Sequence, residues 1–331
     1  MSEIWNHESS PEHIRISTAA AIELGLKPGL LYRGASCPCI NLLLNYDVGC
    51  YATCTYCGLA RERPGIAAEN SFIRVGWPVY HTEIVANAIA NKIDRVGRVC
   101  IAMVHHPQAY DDTLTVTKEI LAKVDVPISG LVMATLLNGK RLRAFKDASI
   151  DIIGIGLDAA SQEVFHQTRG RGAGGSHSWE QHWEIVHIAR ELYGPKKVNC
   201  HVVVGLGETD RELVELFYRC RAIEVEAYLF SFNPEPGTVM GGLSRTPISR
   251  WRRIQLIKNL IEDTNLPTEA FEFDDKGNLT HIDASNELID LLISSGTPFM
   301  TGGCPDRNGK LACNRPYGSY KPGEEFRDFP F

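Results

Sequence analysis

Three cysteines share one short loop of this 331-residue chain, in the stretch NYDVGCYATCTYCGLARERPG at residues 45–65. Cys50, Cys54 and Cys57 follow the spacing C-x3-C-x2-C. Zinc commonly takes four ligands from two separated pairs. Three clustered thiolates instead suit three irons of a [4Fe–4S] cube and leave the fourth iron open to a small molecule. The spacing therefore predicts an iron–sulfur cluster with one vacant coordination position.

Four further cysteines lie towards the two ends of the chain. Cys37 and Cys39, in GASCPCINLLL, precede the first predicted strand, and Cys304 and Cys313 belong to TGGCPDRNGKLACNRPYG. The beginning and end of a barrel can meet in space, so these four thiols predict a second, auxiliary [4Fe–4S] cluster. A structural zinc site that closes the barrel is one alternative, and unrelated free thiols are another. The other three cysteines are expected to be buried apolar packing residues: Cys100, Cys200 and Cys220.

Strand-like and helix-like segments alternate through the middle of the chain. Short apolar segments predict strands at 40–46, 98–104, 128–137, 150–158, 197–207 and 225–233. Apolar residues at three- and four-residue steps predict helices at 81–96, 111–124, 139–148, 178–194, 209–223 and 249–264. Six such units fit an α/β fold, a partial (β/α)6 TIM-like barrel with parallel strands. A Rossmann-type open sheet explains the same alternation, but no G-x-G-x-x-G stands between a first strand and helix.

The two ends of the chain lack this alternation. Residues 1–36 are expected to form an N-terminal lead-in, with a helix predicted in SPEHIRISTAAAIELGL at 10–26. Beyond residue 265, FEFDDKGNLTHID predicts a small hairpin, followed by one helix and an irregular tail. We therefore divide the chain into the lead-in (1–36), the barrel (37–240) and a C-terminal extension (241–331) that contributes ligands to the auxiliary cluster.

Composition limits the classes of function. The chain is 44% hydrophobic and 22% charged, and 34 basic against 40 acidic residues give a net charge of −6. A mildly acidic chain does not bind nucleic acid through its overall field. No apolar run reaches the length of a membrane span, and the polar N-terminus is unlike a signal peptide. We expect a cytoplasmic protein, in which close spacing of cysteines indicates metal binding or catalysis rather than disulfides.

The C-x3-C-x2-C loop after the first strand of a βα barrel resembles the radical S-adenosylmethionine (SAM) superfamily. Tyr56 stands at the position where that superfamily usually has an aromatic residue. The resemblance implies that Cys50, Cys54 and Cys57 hold a [4Fe–4S] cluster whose open iron is chelated by SAM. One electron, expected from ferredoxin or flavodoxin, then cleaves SAM to methionine and the 5′-deoxyadenosyl radical.

The same resemblance implies a set of SAM contacts. Asp158, in GIGLDAASQEVF, stands where a ribose-binding residue is expected, and Arg169 or Arg171, in TRGRGAGG, suits the methionyl carboxylate. Gly205 and Gly207, in GLGET, resemble the glycine-rich turn beside the adenine. A helix cap, solvated loop charges and ordinary turns are the alternative interpretations of these residues.

One motif of the superfamily is replaced in this chain. Gly-Gly-Glu often ends the second strand and contacts the methionyl amino group, but here that place is MVHHPQAYDD. His105, His106 or Gln108 is expected to substitute. Packing at the barrel end and a substrate contact are the alternatives for the two histidines.

The terminal cysteine stretches, together with SFIRVGWPVY at 71–80, look most like the two-protein lipoyl synthase of archaea and some sulfur-metabolising bacteria. That resemblance implies sulfur insertion into an octanoyl chain on a lipoyl carrier domain or glycine-cleavage carrier protein. The auxiliary cluster would be sacrificed as the sulfur donor, and a second radical SAM lipoyl synthase subunit would be the partner. An aliphatic C–H bond has no acidic proton for a base to remove, so a radical is required. By analogy with single-chain lipoyl synthase, Ser319 is a further candidate ligand.

Other functions agree with parts of the sequence. FNPEPGT at 232–238 looks like a stretch of biotin synthase relatives, so a biotin-synthase-like enzyme acting on a small molecule is the main alternative. An aminomutase-type radical enzyme would leave the terminal cysteines without a joint role. A non-catalytic electron carrier is a third possibility, but a carrier has no use for a vacant iron.

Overall fold

The computed structural model describes residues 8–31, 35–73, 75–300 and 302–313. The described strands, in chain order, are β1 (His13–Ile16), β2 (Cys39–Leu44), β3 (Val79–His81), β4 (Arg98–Ala102), β5 (Ile128–Val132), β6 (Ile150–Asp158), β7 (Val198–Val204), β8 (Glu226–Ser231), β9 (Phe271–Phe273) and β10 (Leu279–Ile282). The first eight form one sheet in the order β3-β1-β2-β4-β5-β6-β7-β8, and β9 pairs with β10.

The described helices are α1 (Thr18–Glu23), α2 (Thr82–Asn91), α3 (Ala109–Lys123), α4 (Gly139–Asp147), α5 (Gln162–Thr168), α6 (Trp179–Tyr193), α7 (Asp210–Ala222), α8 (Ile248–Asp263) and α9 (Asn286–Ser295). Many begin at a polar side chain that accepts a backbone N–H of the first turn, as preferred N-cap residues do. These caps are Ser17, Asn138, Ser161, Ser178, Thr209 and Ser285.

The six predicted strands of the barrel are confirmed. Strands β2, β4, β5, β6, β7 and β8 are parallel neighbours, and a helix follows each of them before the next begins. Every residue of β2 and β4 is buried, as expected for parallel strands covered on both faces. The fold is therefore a mixed α/β, partial TIM-like barrel, whose six parallel strands all end at the same edge.

The helix predicted across residues 10–26 is wrong for its first half. Residues 13–16 form β1, which pairs antiparallel with both β2 and β3, and α1 begins only at Thr18. Ile14 and Ile16 are fully buried, and this spacing of two residues fits a strand. Pairing with a distant segment, which the local pattern does not show, decided the conformation here.

The remaining elements lie beyond residue 265 or are short segments within the barrel. The hairpin predicted after residue 265 is confirmed as β9 and β10, and α9 is the helix that follows it. Strand β3 and helix α5 were not predicted, because three and seven residues are too few to show a periodicity. No helix among the described residues has the length and apolar character to cross a membrane.

Candidate active site

The cysteine loop directly follows β2, at the edge where the parallel strands end. Backbone hydrogen bonds tie it to three other parts of this edge. Tyr51 N–H donates to His105 O (2.8 Å), Thr55 N–H to Thr168 O (2.8 Å), and Met240 N–H to Thr55 O (2.9 Å). Sites of parallel α/β barrels lie at this edge, and here the loops after β4, β6 and β8 hold the cysteine loop in place.

A cavity opens beside the loop and encloses about 1180 Å³ of empty space, including its mouth. Cys50, Cys54 and Cys57 all line it. Most of the remaining wall is apolar and comes from the ends of β4, β5, β7 and β8 and from the segment after the loop: Phe72, Ile73, Met103, Val104, Leu131, Val132, Met133, Val203, Phe230 and Phe232. Its polar side chains are Tyr56, Asp158, Arg169, His201, Ser231, Asn233 and Glu235.

Backbone N–H groups point at two of the three thiols. His105 N–H and Ala52 N–H donate to Cys50 Sγ at 3.3 and 3.4 Å, and Leu59 N–H donates to Cys57 Sγ at 3.4 Å. Such donors stabilise a metal-bound thiolate and tune a cluster. Burial nevertheless raises the pKa of Cys54 to about 11 and also raises the pKa values of Cys50 and Cys57. Metal binding must therefore displace protons from these thiols.

The three thiols fit a cluster better than a single ion. Within the described ranges, no three His, Cys, Asp or Glu side chains are arranged to hold one metal ion. A cube spreads its thiolate ligands over separate irons, so the thiols need not converge on one point. The donor set therefore suits a [4Fe–4S] cluster held by Cys50, Cys54 and Cys57.

Tyr56, Asp158 and Arg169 form one hydrogen-bonded chain on the cavity wall. Tyr56 Oη donates to Asp158 Oδ2 at 2.5 Å, and Arg169 pairs with the same oxygen. Asp158 has a φ of +63° where β6 ends, which turns its side chain towards these partners. Arg169 is 3% exposed, and its Nε has no hydrogen-bond partner among the described residues. The chain thus offers a buried cation and a carboxylate to a polar ligand beside the thiols.

The other residues predicted to contact SAM are not among those that line the cavity. Arg171 is exposed, two residues beyond the buried Arg169. Gly205 and Gly207 have φ values of +111° and +119°, and neither is among the described residues that line the cavity. The N–H groups of Gly205 and Leu206 both donate to the Glu208 carboxylate at 2.8 Å. The glycines therefore make a turn closed by Glu208, which the sequence pattern did not indicate.

In the segment that replaces Gly-Gly-Glu, His105 makes the main contact with the thiols of the cysteine loop. Its N–H binds Cys50 Sγ, and its ring centroid lies 5.1 Å from that of His177. His106 instead stacks on Tyr46 at 3.7 Å, and Gln108 is exposed at the start of α3. Of the three predicted substitutes, His105 is the one whose N–H binds a thiol of the cysteine loop, and the His106 ring lies 5.2 Å from that of Tyr51 in the same loop.

Glu235 is a cavity residue that the sequence analysis missed. It is 6% exposed, and it accepts a hydrogen bond from Ser71 Oγ at 2.6 Å. Arg63 Nη1 lies 4.0 Å from the Glu235 carboxylate and donates to Gly58 O at 2.8 Å. Glu235 therefore links the segment after the cysteine loop to the loop after β8. The sequence feature that could have identified Glu235 is its position between the two prolines of FNPEPGT.

Three of the four terminal cysteines meet at one buried place, together with a fourth thiol that was not predicted. Cys39, Cys100, Cys304 and Cys313, here called the four-thiol group, pack together with Ile152, Tyr228 and Phe230. Cys37 is half-buried and packs against the main core of the molecule. Cys200 and Cys220 are buried as predicted, and they contact each other between β7 and α7. Ser319 lies outside the described residues.

The four-thiol group and the cavity share a common apolar layer. Phe230 lines the cavity and belongs to the buried cluster that contains the four-thiol group, while Ile73, Leu131 and Val203 line the cavity and pack against that cluster. The wall of the cavity is therefore continuous with the cluster that contains the four-thiol group.

Comparisons with known sequences place this chain among similar proteins. Biotin synthase of Parafrankia sp. (strain EAN1pec) is 33% identical over 69 residues, which is 20% of this chain and 19% of that protein. Biotin synthase of Geobacter sulfurreducens is 30% identical over 93 residues, 28% of each protein. The matched segments thus span less than a third of these curated relatives.

Solved structures show the same fold at low sequence identity. The FeFe-hydrogenase maturase HydG from Carboxydothermus hydrogenoformans has a TM-score of 0.51 and 16% identity, covering 89% of this chain and 74% of that one. A second structure of HydG also has a TM-score of 0.51, with 14% identity over 73% of this chain and 52% of that one.

The family model of the Radical SAM superfamily matches residues 44–219, more than half of the chain. The match begins at the end of β2, contains the cysteine loop and extends into α7. The whole cysteine loop, with its three thiols, therefore lies within the match. This chain belongs to the radical SAM superfamily.

Proposed function

We propose that this protein is a radical SAM sulfurtransferase of the lipoyl synthase type, which inserts sulfur into an octanoyl chain carried by a lipoyl carrier protein. One observation carries the proposal. The three thiols of the cysteine loop line a mostly apolar cavity, and Leu131 and Phe230 of its wall also pack against or belong to the buried cluster that contains the four-thiol group. A saturated hydrocarbon chain suits such a wall, because its transfer from water to an apolar surface is favourable.

The thiols of the cysteine loop would hold the cluster that activates SAM. When bound, this cluster and SAM supply a 5′-deoxyadenosyl radical able to remove hydrogen from an unactivated carbon. Arg169 would pair with the methionyl carboxylate. Asp158 would accept a hydrogen bond from a ribose hydroxyl, and the hydrogen bond from Tyr56 Oη would keep the Asp158 carboxylate oriented. The apolar wall would exclude water from the reacting atoms.

The four-thiol group would hold the auxiliary [4Fe–4S] cluster proposed as the sulfur donor. Sulfur has to lie close to the activated carbon, since positioning supplies a large part of the rate enhancement. Phe230 lies in the buried cluster that contains this group, Val203 packs against that cluster, and both side chains line the cavity. This arrangement supports the delivery of sulfur from the auxiliary cluster into the cavity.

A protein-bound substrate would approach the mouth of the cavity. Large apolar side chains are exposed on the loops at this edge: Val48, Ile66, Val239 and Leu243 are 61%, 62%, 78% and 54% exposed. The basic helix α8 is a weaker candidate for binding an acidic carrier. Its Arg250 pairs with Glu208 and Asp210, at 3.0 and 2.9 Å, so part of its charge is already neutralised. A second radical SAM subunit and a ferredoxin or flavodoxin complete the proposed set of partners.

A biotin-synthase-like reaction on a small molecule is the second candidate. The two curated relatives favour it, although each match covers less than a third of either protein. Both candidates insert sulfur at unactivated carbon, so they share the cavity and differ in the molecule that enters it.

The test is an anaerobic assay of reconstituted protein with SAM, dithionite and an octanoylated carrier peptide, read by mass spectrometry. The proposal expects sulfur on the octanoyl chain together with 5′-deoxyadenosine. Cys54→Ala is expected to abolish both products, whereas Cys304→Ala keeps 5′-deoxyadenosine and loses the sulfur product. Full sulfur transfer by Cys304→Ala would contradict the sulfur-donor role. Sulfur gained by the desulfurised precursor of biotin, and not by the peptide, would favour the second candidate.

A further inference from the structure

We propose that Cys100 is a ligand of the auxiliary iron–sulfur cluster, and that Cys37 is not. The ligand set is then Cys39, Cys100, Cys304 and Cys313, the four-thiol group. This inference rests on the proposed second cluster, but it concerns which residues hold metal and not which molecule receives sulfur.

The register of the sheet brings Cys39 and Cys100 to the same interior. Cys39 pairs with Arg98 and Asn41 pairs with Cys100 across β2 and β4. Residues two apart on a strand share a face, so Cys100 points to the same side as Arg98. The Arg98 side chain donates to Pro305 O at 2.7 Å, next to Cys304. Cys100 therefore faces the segment that contains Cys304 and Cys313.

The C-terminal pair is held in a tight hairpin against this face. Cys313 N–H donates to Cys304 O at 3.0 Å, and residues Pro305 and Leu311 form an antiparallel bridge. A Cβ at Gly303 would lie 1.7 Å from Cys313 O, so only glycine permits this approach of the two backbones. The hairpin places both thiols beside those of β2 and β4.

Charge in the surroundings favours a buried anionic group. Arg98 is 1% exposed, and its positive charge interacts with Cys39 and Cys304 as well as with Asp151. Asn199 Nδ2 lies 3.9 Å from Cys304 Sγ, within the range of a weak donor to sulfur. A buried anion requires such partners, and four thiolates around an iron–sulfur core form one.

Cys37 occupies a different environment. Its backbone N–H donates to Glu23 Oε2 at 2.9 Å, and its thiol donates to Cys39 O at 3.4 Å. Its side chain packs with the main core, whereas Cys39 belongs to the separate cluster that contains the four-thiol group. The two cysteines are close in sequence, but their side chains pack in different clusters.

The experiment measures metal in the absence of the first cluster. In the full-length chain with Cys50, Cys54 and Cys57 replaced by Ala, the auxiliary site is the one left to bind iron. After anaerobic reconstitution with iron and sulfide, we expect about four irons per chain, the content of one [4Fe–4S] cluster. Further single substitutions are then made in this background. For each variant we compare the contents of iron, zinc and acid-labile sulfide and the electron paramagnetic resonance spectrum of the reduced protein.

Three valine variants are matched, because valine fills about the volume of cysteine without offering a ligand. Cys100→Val is expected to lose at least half of the iron and to change the spectrum. Cys37→Val and Cys200→Val are expected to keep both the iron and the spectrum. Cys200 is the control, since it is buried on β7 of the same sheet and contacts Cys220. Circular dichroism and urea unfolding of the metal-free variants separate ligand loss from misfolding.

Retention of iron and spectrum by Cys100→Val, with loss in Cys37→Val, would overturn the assignment. One zinc per chain in place of iron would overturn the cluster itself. If the metal results hold while no sulfur reaches any octanoyl chain, the ligand assignment stands and the proposed function fails. The two failures are thus distinguishable.

Discussion

Two buried histidines beside Arg169 make the stability of this protein depend on pH. His177 and His182 are 3% and 1% exposed, and their rings lie 5.5 Å apart. Burial, followed by the charge of Arg169, lowers the pKa of His177 to about 2 and that of His182 to about 3. Both rings are therefore neutral in the folded protein near neutral pH.

The sign and size of the effect follow from proton binding. A histidine in the unfolded chain has a pKa of about 6.5, so below that pH the unfolded state binds more protons than the folded state. The free energy of unfolding then falls as the pH falls from about 6.5 towards 3. Between pH 8 and pH 5.5 the loss is about 1.4 kcal/mol for each histidine, or about 2.8 kcal/mol for the two together.

The assay is urea unfolding of metal-free protein at pH 8 and pH 5.5, followed by circular dichroism. Removing metal avoids any effect of acid on a cluster. His182→Leu is expected to make the decrease between the two pH values smaller by about 1.4 kcal/mol than in the parent protein. His166→Leu is the control, since His166 lies on the exposed side of α5 and its loss should leave the decrease unchanged. An equal decrease in His182→Leu and the parent would refute the reasoning.

Two further substitutions test the geometry of the site. Arg169→Met removes the buried partner of a carboxylate and is expected to lower the free energy of unfolding by about 3 kcal/mol. It should also weaken SAM binding in equilibrium dialysis of the reconstituted protein, whereas Arg171→Met, at an exposed position, should change stability by about 0.5 kcal/mol or less. Gly205→Ala places a Cβ 2.1 Å from a threonine hydroxyl at a φ of +111°, and we expect a loss of about 2 kcal/mol or more in urea unfolding. Gly242→Ala, where a Cβ meets no atom within 4 Å, is its control, and equal stability of the two variants would contradict the strain at Gly205.

Much of the barrel could be predicted because its signals are local. Apolar segments that become β4, β6 and β7 are bounded by helices with clear periodicity, and caps such as Ser178 and Thr209 mark where those helices begin. Strand β1 shows the limit of this reasoning. Its apolar spacing fits a strand or a helix, and only pairing with β2 and β3 selected the strand.

The candidate site likewise has a part that could be predicted from the sequence and a part that could not. The spacing of Cys50, Cys54 and Cys57 confines the three thiols to one loop, and the strand before that loop directs it to the barrel edge. Tyr56 lies about a hundred residues before Asp158 and Arg169 in the sequence, and the structure brings the three into one hydrogen-bonded chain. Arg171 could not be distinguished from Arg169 in the sequence, because burial of a loop residue depends on what packs over the loop.

By itself, the sequence determined the chemistry available to this protein: a three-cysteine loop at a strand end, an alternating α/β architecture and thiols near both termini. Only the tertiary structure decided which of those thiols meet. Cys37 and Cys39 are nearly adjacent in the chain, yet Cys39 packs with Cys100 and Cys304 while Cys37 packs elsewhere. The physical reason is that the direction of a side chain is set by strand register and by the segments packed against it, and neither is encoded in spacing along the chain.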